Sequence, residues 1–431
     1  MGSHWGTASA MKPAGDELSH RADVQRILVM RGLRSLAYGL LSVVLAVALA
    51  NAGFSPAAIG ILITVSLVGD VLGTYVIGIA ADTWGRRRTL ALLAVLMAGT
   101  GVIFGLTRSY PVLLGAAFFG TLGISASETA PFLPIDQAMI AQVTEPDERT
   151  ALFARYNLVA AFSVAVGALG AGLPDALAHL GMPLALGIRL PFGVYAALAL
   201  LVAGLSLHLS PNVEAPRRAA HKEQPLRHSL IPPLGPSRGI VWRLMGLFSL
   251  DALAGGLVVQ SLMVLFFHLR FGVSLAALSA LFFGANLLSA LSFLAAVPLA
   301  RRFGLLKTMV FTHLPSNVLL VLVAFAPVFP IAAAFLLLRQ LLSQMDVPTR
   351  QAYTMALVTP EARTAAASVT SLARSVGSAS SPIFSGLLLQ GPLLVLGLPF
   401  ILAGVLKAVY DSSLWLLFRH VRLQEEENQP T

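Results

Sequence analysis

Pro134-Ile-Asp136-Gln137-Ala138, followed by Pro146 and Arg149-Thr-Ala151, returns as Pro348-Thr-Arg350-Gln351-Ala352, followed by Pro360 and Arg363-Thr-Ala365. Each matched residue lies 214 positions further on (134 to 348, 149 to 363), nearly half of the 431 residues. Two copies of one helical unit joined at the middle are a recurrent plan among secondary transporters. Within the repeat, Asp136 stands opposite Arg350. A charge inside a bilayer is costly, so charged positions in otherwise apolar segments mark candidate functional sites.

Outward from the repeat the chain is 56% hydrophobic and only 11% charged, against about 25% charged in a soluble domain. Runs of about 20 apolar residues, each enough for a roughly 30 Å hydrocarbon core, recur along its length. Hydropathy windows give twelve spans, near 27–50, 57–80, 89–106, 111–143, 151–174, 186–208, 239–268, 274–300, 307–327, 330–358, 365–390 and 392–418. The expected fold is an all-α polytopic membrane protein of twelve transmembrane helices in two pseudo-symmetric six-helix bundles, 27–208 and 239–418. A polar tail, 1–26, has no apolar core of the signal-peptide kind. A Pro-rich linker, 209–238, carries Arg217, Arg218, Lys222 and Arg227, and a tail, 419–431, carries Glu425, Glu426 and Glu427.

The net charge is +9, and its placement accounts for it. Arg86, Arg87, Arg88, the linker cations, Arg301, Arg302 and Lys307 fall on one side of alternating spans. The other side carries Arg108, Arg189 and Arg270. The positive-inside rule then puts both termini and the linker in the cytoplasm, and the expected location is the plasma (inner) membrane. The basic bias is topology, so no nucleic-acid partner is expected. With no cysteine and nine scattered histidines, neither a metal site nor a cofactor is expected. No Walker-type loop is present to support ATP-driven transport.

The most informative local motif follows span two: Gly78-Ile-Ala-Ala-Asp82-Thr-Trp-Gly85-Arg86-Arg87-Arg88. It reads as a tight turn between two helices, with Asp82 placed to meet a helix N-terminus or a neighbouring cation. The alternative is a basic turn that only enforces topology. The motif resembles the signature loop between helices two and three of the major facilitator superfamily. A degenerate copy, Ala300-Arg301-Arg302-Phe303-Gly304-Leu-Leu-Lys307, puts Arg301 where Asp82 stands. The resemblance covers essentially the whole chain and implies alternating access, with the Asp82 loop latching the cytoplasmic side and Arg149 contacting Asp82. Otherwise Arg149 and Arg363 cap helix starts and pair with Asp147, Glu148 or Glu361.

In that family helices 1, 4, 7 and 10 line a central cavity. Here helix 1 has Arg31, Arg34, Tyr38 and Ser42 on one face, and helix 4 has Thr121, Ser125, Glu128 and, slightly off that face, Asp136 with Gln137 beside it. Helix 7 has Asp251, and helix 10 has Arg339, Ser343, Asp346 and Arg350 in one stripe, with Gln351 adjoining. Arg34-Ser-Leu-Ala-Tyr-Gly39-Leu40 also matches Asp251-Ala-Leu-Ala-Gly-Gly256-Leu257. Arg34 and Asp251 are therefore equivalent with opposite sign, as are Asp136 and Arg350. Either these charges form ion pairs that span or divide the two bundles, weakened when a carboxylate takes a proton, or they are static pairs near the cytoplasmic ends. Asp70 sits alone in mid-helix 2, roughly 18 Å of helix from Asp82, with Asn286 near its place in helix 8. It is a candidate proton carrier or a hydrogen-bonded, inert carboxyl.

Drug–proton antiporters of this superfamily carry a Gly-Pro motif in helix 5. Here Gly167, Gly170 and Gly172 precede Pro174, but Leu173 intervenes, and close helix packing is the plain alternative. The function expected is a monomeric secondary transporter, in contact with membrane lipid, that moves a small organic solute by proton-coupled efflux. The alternatives are an inorganic-ion or metal exporter of the same fold and a proton-coupled uptake symporter. No nucleophile–base set points to an enzyme.

Overall fold

A computed structural model describes residues 14–124, 131–144, 146–214, 234–359 and 362–421. Among them there are helices and no strands. The first half comprises α1 (Ala14–Asn51), α2 (Pro56–Trp84), α3 (Arg86–Leu106), α4 (Tyr110–Phe119), α5 (Phe132–Val143), α6 (Pro146–Gly170), α7 (Leu173–His179), α8 (Leu184–Gly187) and α9 (Leu190–Leu207). The second comprises α10 (Arg238–Leu257), α11 (Gln260–Phe271), α12 (Leu275–Phe303), α13 (Leu305–Phe325), α14 (Phe329–Ser343), α15 (Asp346–Leu357), α16 (Arg363–Ser380), α17 (Pro382–Leu388), α18 (Leu393–Leu396) and α19 (Leu398–Phe418).

The internal repeat is visible in the caps. Ser55 and Ser274 receive hydrogen bonds from Ala58 and Ala277 at the starts of α2 and α12, each 29 residues long. Both helices end at a single glycine, Gly85 at φ +104° and Gly304 at φ +87°, and both are followed by a helix of 21 residues. A positive φ is cheap only for glycine, so one residue suffices to reverse the chain. Gly78, expected in the turn, lies inside α2.

Nine helical runs among the described residues are long and apolar enough to cross a membrane. The expected spans 111–143, 330–358 and 365–390 are not among them. The second is α14 and α15, interrupted at Gln344 and Met345. Pro348 has no N–H to give, and its ring collides with the carbonyl four residues back, so the helix restarts just before it. Pro134 holds the same place in α5, after the end of α4 at Gly120. The third is α16 and α17, parted before Pro382, as α6 and α7 are parted before Pro174. One break is not mirrored: α1 runs unbroken for 38 residues, while α10 and α11 meet at Val258 and Val259.

Within the halves α1 packs on α6 and α10 on α16, and α3 on α9 as α13 on α19. Among the described residues, these hydrogen bonds join the halves near the Ser55 end. Gln260 donates to Ser42 Oγ (2.8 Å), and Ser261 donates to the carbonyls of Ser42 (2.9 Å) and Ile124 (3.1 Å). The Ala276 amide donates to Asp175 (2.7 Å) and the Ile383 amide to Thr64 (3.0 Å). Here α2 and α17 touch backbone to backbone: a Cβ added to Gly60 would lie 2.6 Å from the Pro382 carbonyl oxygen, and one on Gly386 2.5 Å from that of Pro56. At the other, basic end α5 packs on α1, α2, α3 and α6, and α15 on α12, α13 and α16, each within its own half.

Candidate functional site

The four equivalent charges pair within the halves. In the first half Arg34 (α1) bonds Asp136 (α5), and both side chains are fully buried. Tyr156 donates to the same carboxylate oxygen at 2.7 Å, and the Arg34 guanidinium lies 4.6 Å from the centre of the Phe132 ring. In the second half Asp251 (α10) meets Arg350 (α15) at 3.3 Å. The repeat has built one ion pair twice with its polarity reversed. The expectation of pairs spanning the bundles is thereby corrected: each pair closes inside its own half, Arg34 on Asp136 and Asp251 on Arg350, because the opposite charge of each repeat already lies within that half.

Asp251 is more than half of a pair. Lys407 (α19) reaches its Oδ1 at 2.5 Å and Arg374 (α16) its Oδ2 at 2.9 Å, while Arg350 also holds Asp346 at 2.7 Å. Four helices thus converge on one buried carboxylate. One turn beyond Lys407, Asp411 accepts from His313 (3.0 Å to each oxygen) and from Asn317 Nδ2 (2.7 Å). Sequence reasoning missed Lys407, Arg374, Asp411, His313 and Asn317, because it looked for charge only in helices 1, 4, 7 and 10. The signal was there: Lys407 and Asp411 interrupt an apolar span as plainly as Asp251 does.

Of the remaining expected residues, Tyr38 is buried and its hydroxyl lies 3.2 Å from Thr121 Oγ1. Asp70 is 6% exposed, and its Oδ1 has no hydrogen-bond partner. Asn286 is half-buried with its Nδ2 unpartnered. Arg339 is 8% exposed and donates from Nη1 to Gln340 (2.9 Å). Gln137 and Gln351 are exposed. Glu128 and Ser125 lie outside the described residues. No group of acidic or histidine side chains among the described residues has the arrangement of a metal site.

The loop differs from expectation. Asp82 pairs with Arg86 of its own turn (2.9 Å), and its side chain is 57% exposed. The start of α3 is taken instead by Glu214, which accepts from the amides of Arg86 (2.6 Å) and Arg87 (3.3 Å). Four orphan amides and the positive end of the helix dipole favour a carboxylate there, and Glu214 supplies it from beyond α9. Arg86 Nη1 reaches the Val213 carbonyl (3.1 Å), Arg87 that of Leu207 (2.5 Å), and Arg88 is exposed. Arg149 does not touch Asp82. It donates to the carbonyls of Ala141 (2.8 Å) and Thr144 (3.1 Å), as Arg363 does to Met355 (3.2 Å). Both therefore satisfy carbonyls where the preceding helix ends, where a cation is favoured, rather than capping the helix that follows. Gly167 of the Gly-rich run sits on α1, where a Cβ would lie 2.0 Å from the Leu36 carbonyl oxygen. Close packing accounts for it.

Long apolar helices, two matched halves and ion pairs buried within each define a polytopic membrane protein of the transporter kind. The family model for the Major Facilitator Superfamily matches residues 27–338, and the chain belongs to that superfamily. An uncharacterized membrane protein of Saccharomyces cerevisiae is 28% identical over 422 residues, 92% of this chain and 94% of that protein. Solved structures share the fold at low identity. The nucleoside transporter NupG superposes with a TM-score of 0.70 at 14% identity, covering 92% of this chain and 99% of that one. A D-xylose–proton symporter gives 0.67 at 16%, covering 91% and 97%. The protein is an integral membrane transporter of the alternating-access kind.

Proposed function

We propose that the protein couples the movement of a small organic solute to that of a proton, and that Asp70 carries the proton. The observation that carries this reading is an imbalance. Asp136, Asp251 and Asp346 each have a cation within ion-pair distance, and Asp411 has His313. Asp70 is buried with no such partner. A lone carboxylate removed from water is costly as an anion and tolerable as an acid, so opening and closing around Asp70 moves a proton with it. Near the corresponding place in the second half stand the neutral side chains Asn286 and Ser289. The D-xylose–proton symporter of the same fold supports coupling by analogy. The basic end, with Arg86, Arg87, Arg88, Arg301, Arg302 and Lys307, faces the cytoplasm by the positive-inside rule. The joined Ser55 end then faces outward, and the chain resides in the plasma (inner) membrane.

The test is reconstitution in liposomes with a pH-sensitive dye inside, adding candidate solutes to wild type and to Asp70→Asn. Expected is solute-triggered proton movement in the wild type that disappears in Asp70→Asn, while solute counterflow persists. The sign of the pH change gives the direction of transport. Solute accumulation that ignores the pH gradient in both proteins overturns proton coupling.

A further inference from the structure

Asp70 has an opposite number. Every other buried cation of the Asp251 cluster is matched: Arg350 has Asp251 and Asp346, and Arg374 and Lys407 have Asp251. Arg339 is as buried as Arg350 and Lys407 and has no carboxylate within ion-pair distance. Its Nε has no acceptor, and its Nη1 bonds only the amide oxygen of its neighbour Gln340, which also accepts from Ser343 (3.0 Å). The carboxylates whose field reaches it are Asp251 and Asp346, both already committed to other cations. Arg339 lies ten residues into α14, roughly 15 Å of helix from an end of a roughly 30 Å hydrocarbon core, and so near the middle of the bilayer. It stands one turn before α14 breaks at Gln344.

An unmatched guanidinium at that depth is expensive, and nothing in the ion pairs or caps uses it. A guanidinium cannot shed its charge, and its planar fork matches the two oxygens of a carboxylate or phosphate. We infer that Arg339 anchors an anionic group of the transported solute, making the substrate a small organic anion that bears a carboxylate or phosphate. This rests on the transport reading and sharpens it. One half offers an unpaired acid for a proton and the other an unpaired cation for an anion.

The experiment is ligand-induced stabilisation of the purified full-length protein in detergent. The shift in unfolding temperature is followed across a panel of small carboxylates and phosphate monoesters, each beside its amide or alcohol, with chloride and inorganic phosphate as bare ions. Organic anions are expected to stabilise the wild type and their neutral partners not to. Arg339→Gln should raise the half-saturating concentration by about tenfold or more, the loss of one charge-assisted hydrogen-bonding group. Arg339→Lys, which keeps the charge but not the fork, should fall between, and it decides the matter if Arg339→Gln does not fold. Four results each overturn the assignment: no response to any anion, equal response to the neutral partners, equal response to the bare ions, or responses unchanged in the folded variants. The readout is binding, so it separates from the proton test. Anion binding through Arg339 without proton movement in liposomes removes the coupling and leaves the anchor, and coupled transport of neutral solutes removes the anchor alone.

Discussion

In the first half Arg34 and Asp136 meet in the company of one phenol, Tyr156, and one ring, Phe132. In the second, Asp251 and Arg350 meet amid Lys407, Arg374 and Asp346. The two pairs occupy equivalent places with exchanged charges, and the carboxylate of the second is the hub of three cations. Removing one partner of a buried pair leaves the other uncompensated. Where three cations share a carboxylate, all three must be dealt with. The second half is therefore tied across α10, α15, α16 and α19 through one carboxylate, while the Arg34–Asp136 pair joins α1 to α5.

The largest expected effect comes from the hub. Asp251→Asn leaves Lys407 and Arg374 without a carboxylate and Arg350 with Asp346 alone, and it should cost about 3–5 kcal/mol of stability. This would be read as loss of the monodisperse peak or a deep fall in unfolding temperature in detergent. A variant as stable as wild type would break the contrast between hub and pair. Next comes the first half, tested by exchange. Arg34→Asp and Asp136→Arg should each be poorly folded, and the double exchange, which gives this half the polarity of the other, should recover part of the loss. A coupling of about 0.5–3 kcal/mol in the double-mutant cycle would establish the pair. No recovery would show that Tyr156 and Phe132 fix the polarity. The smallest effects belong to the loop. Glu214→Ala removes the cap of α3 and should cost about 1 kcal/mol, whereas Asp82→Asn breaks an exposed pair and should cost about 0.5 kcal/mol or less. The reverse order in thermal unfolding would return the helix start to Asp82.

How far these features were legible in the sequence depends on whether one residue or several elements decide them. The repeat, the glycine elbows and the sign exchange at Arg34/Asp251 and Asp136/Arg350 are properties of single positions, and they stand where the sequence put them. The helix breaks were legible too, since Pro134 and Pro348 belong to the repeat itself, but an apolar window averages over a proline and returns one span. Partners were not legible. Arg149 lies where it meets either Asp82 or the end of α5, and only the packing of α5 and α6 decides for Ala141 and Thr144. Glu214 lies more than a hundred residues from the amides it caps, and no spacing announces it.

The contact between Gly60 and Gly386 carries a mechanical meaning. Because α2 and α17 meet there through main-chain atoms, little side-chain bulk stands between them when one helix rolls on the other. This contact between the halves thus behaves as a bearing, with little friction. An added methyl group on either race would act as a shim, prising α2 and α17 apart where one turns on the other.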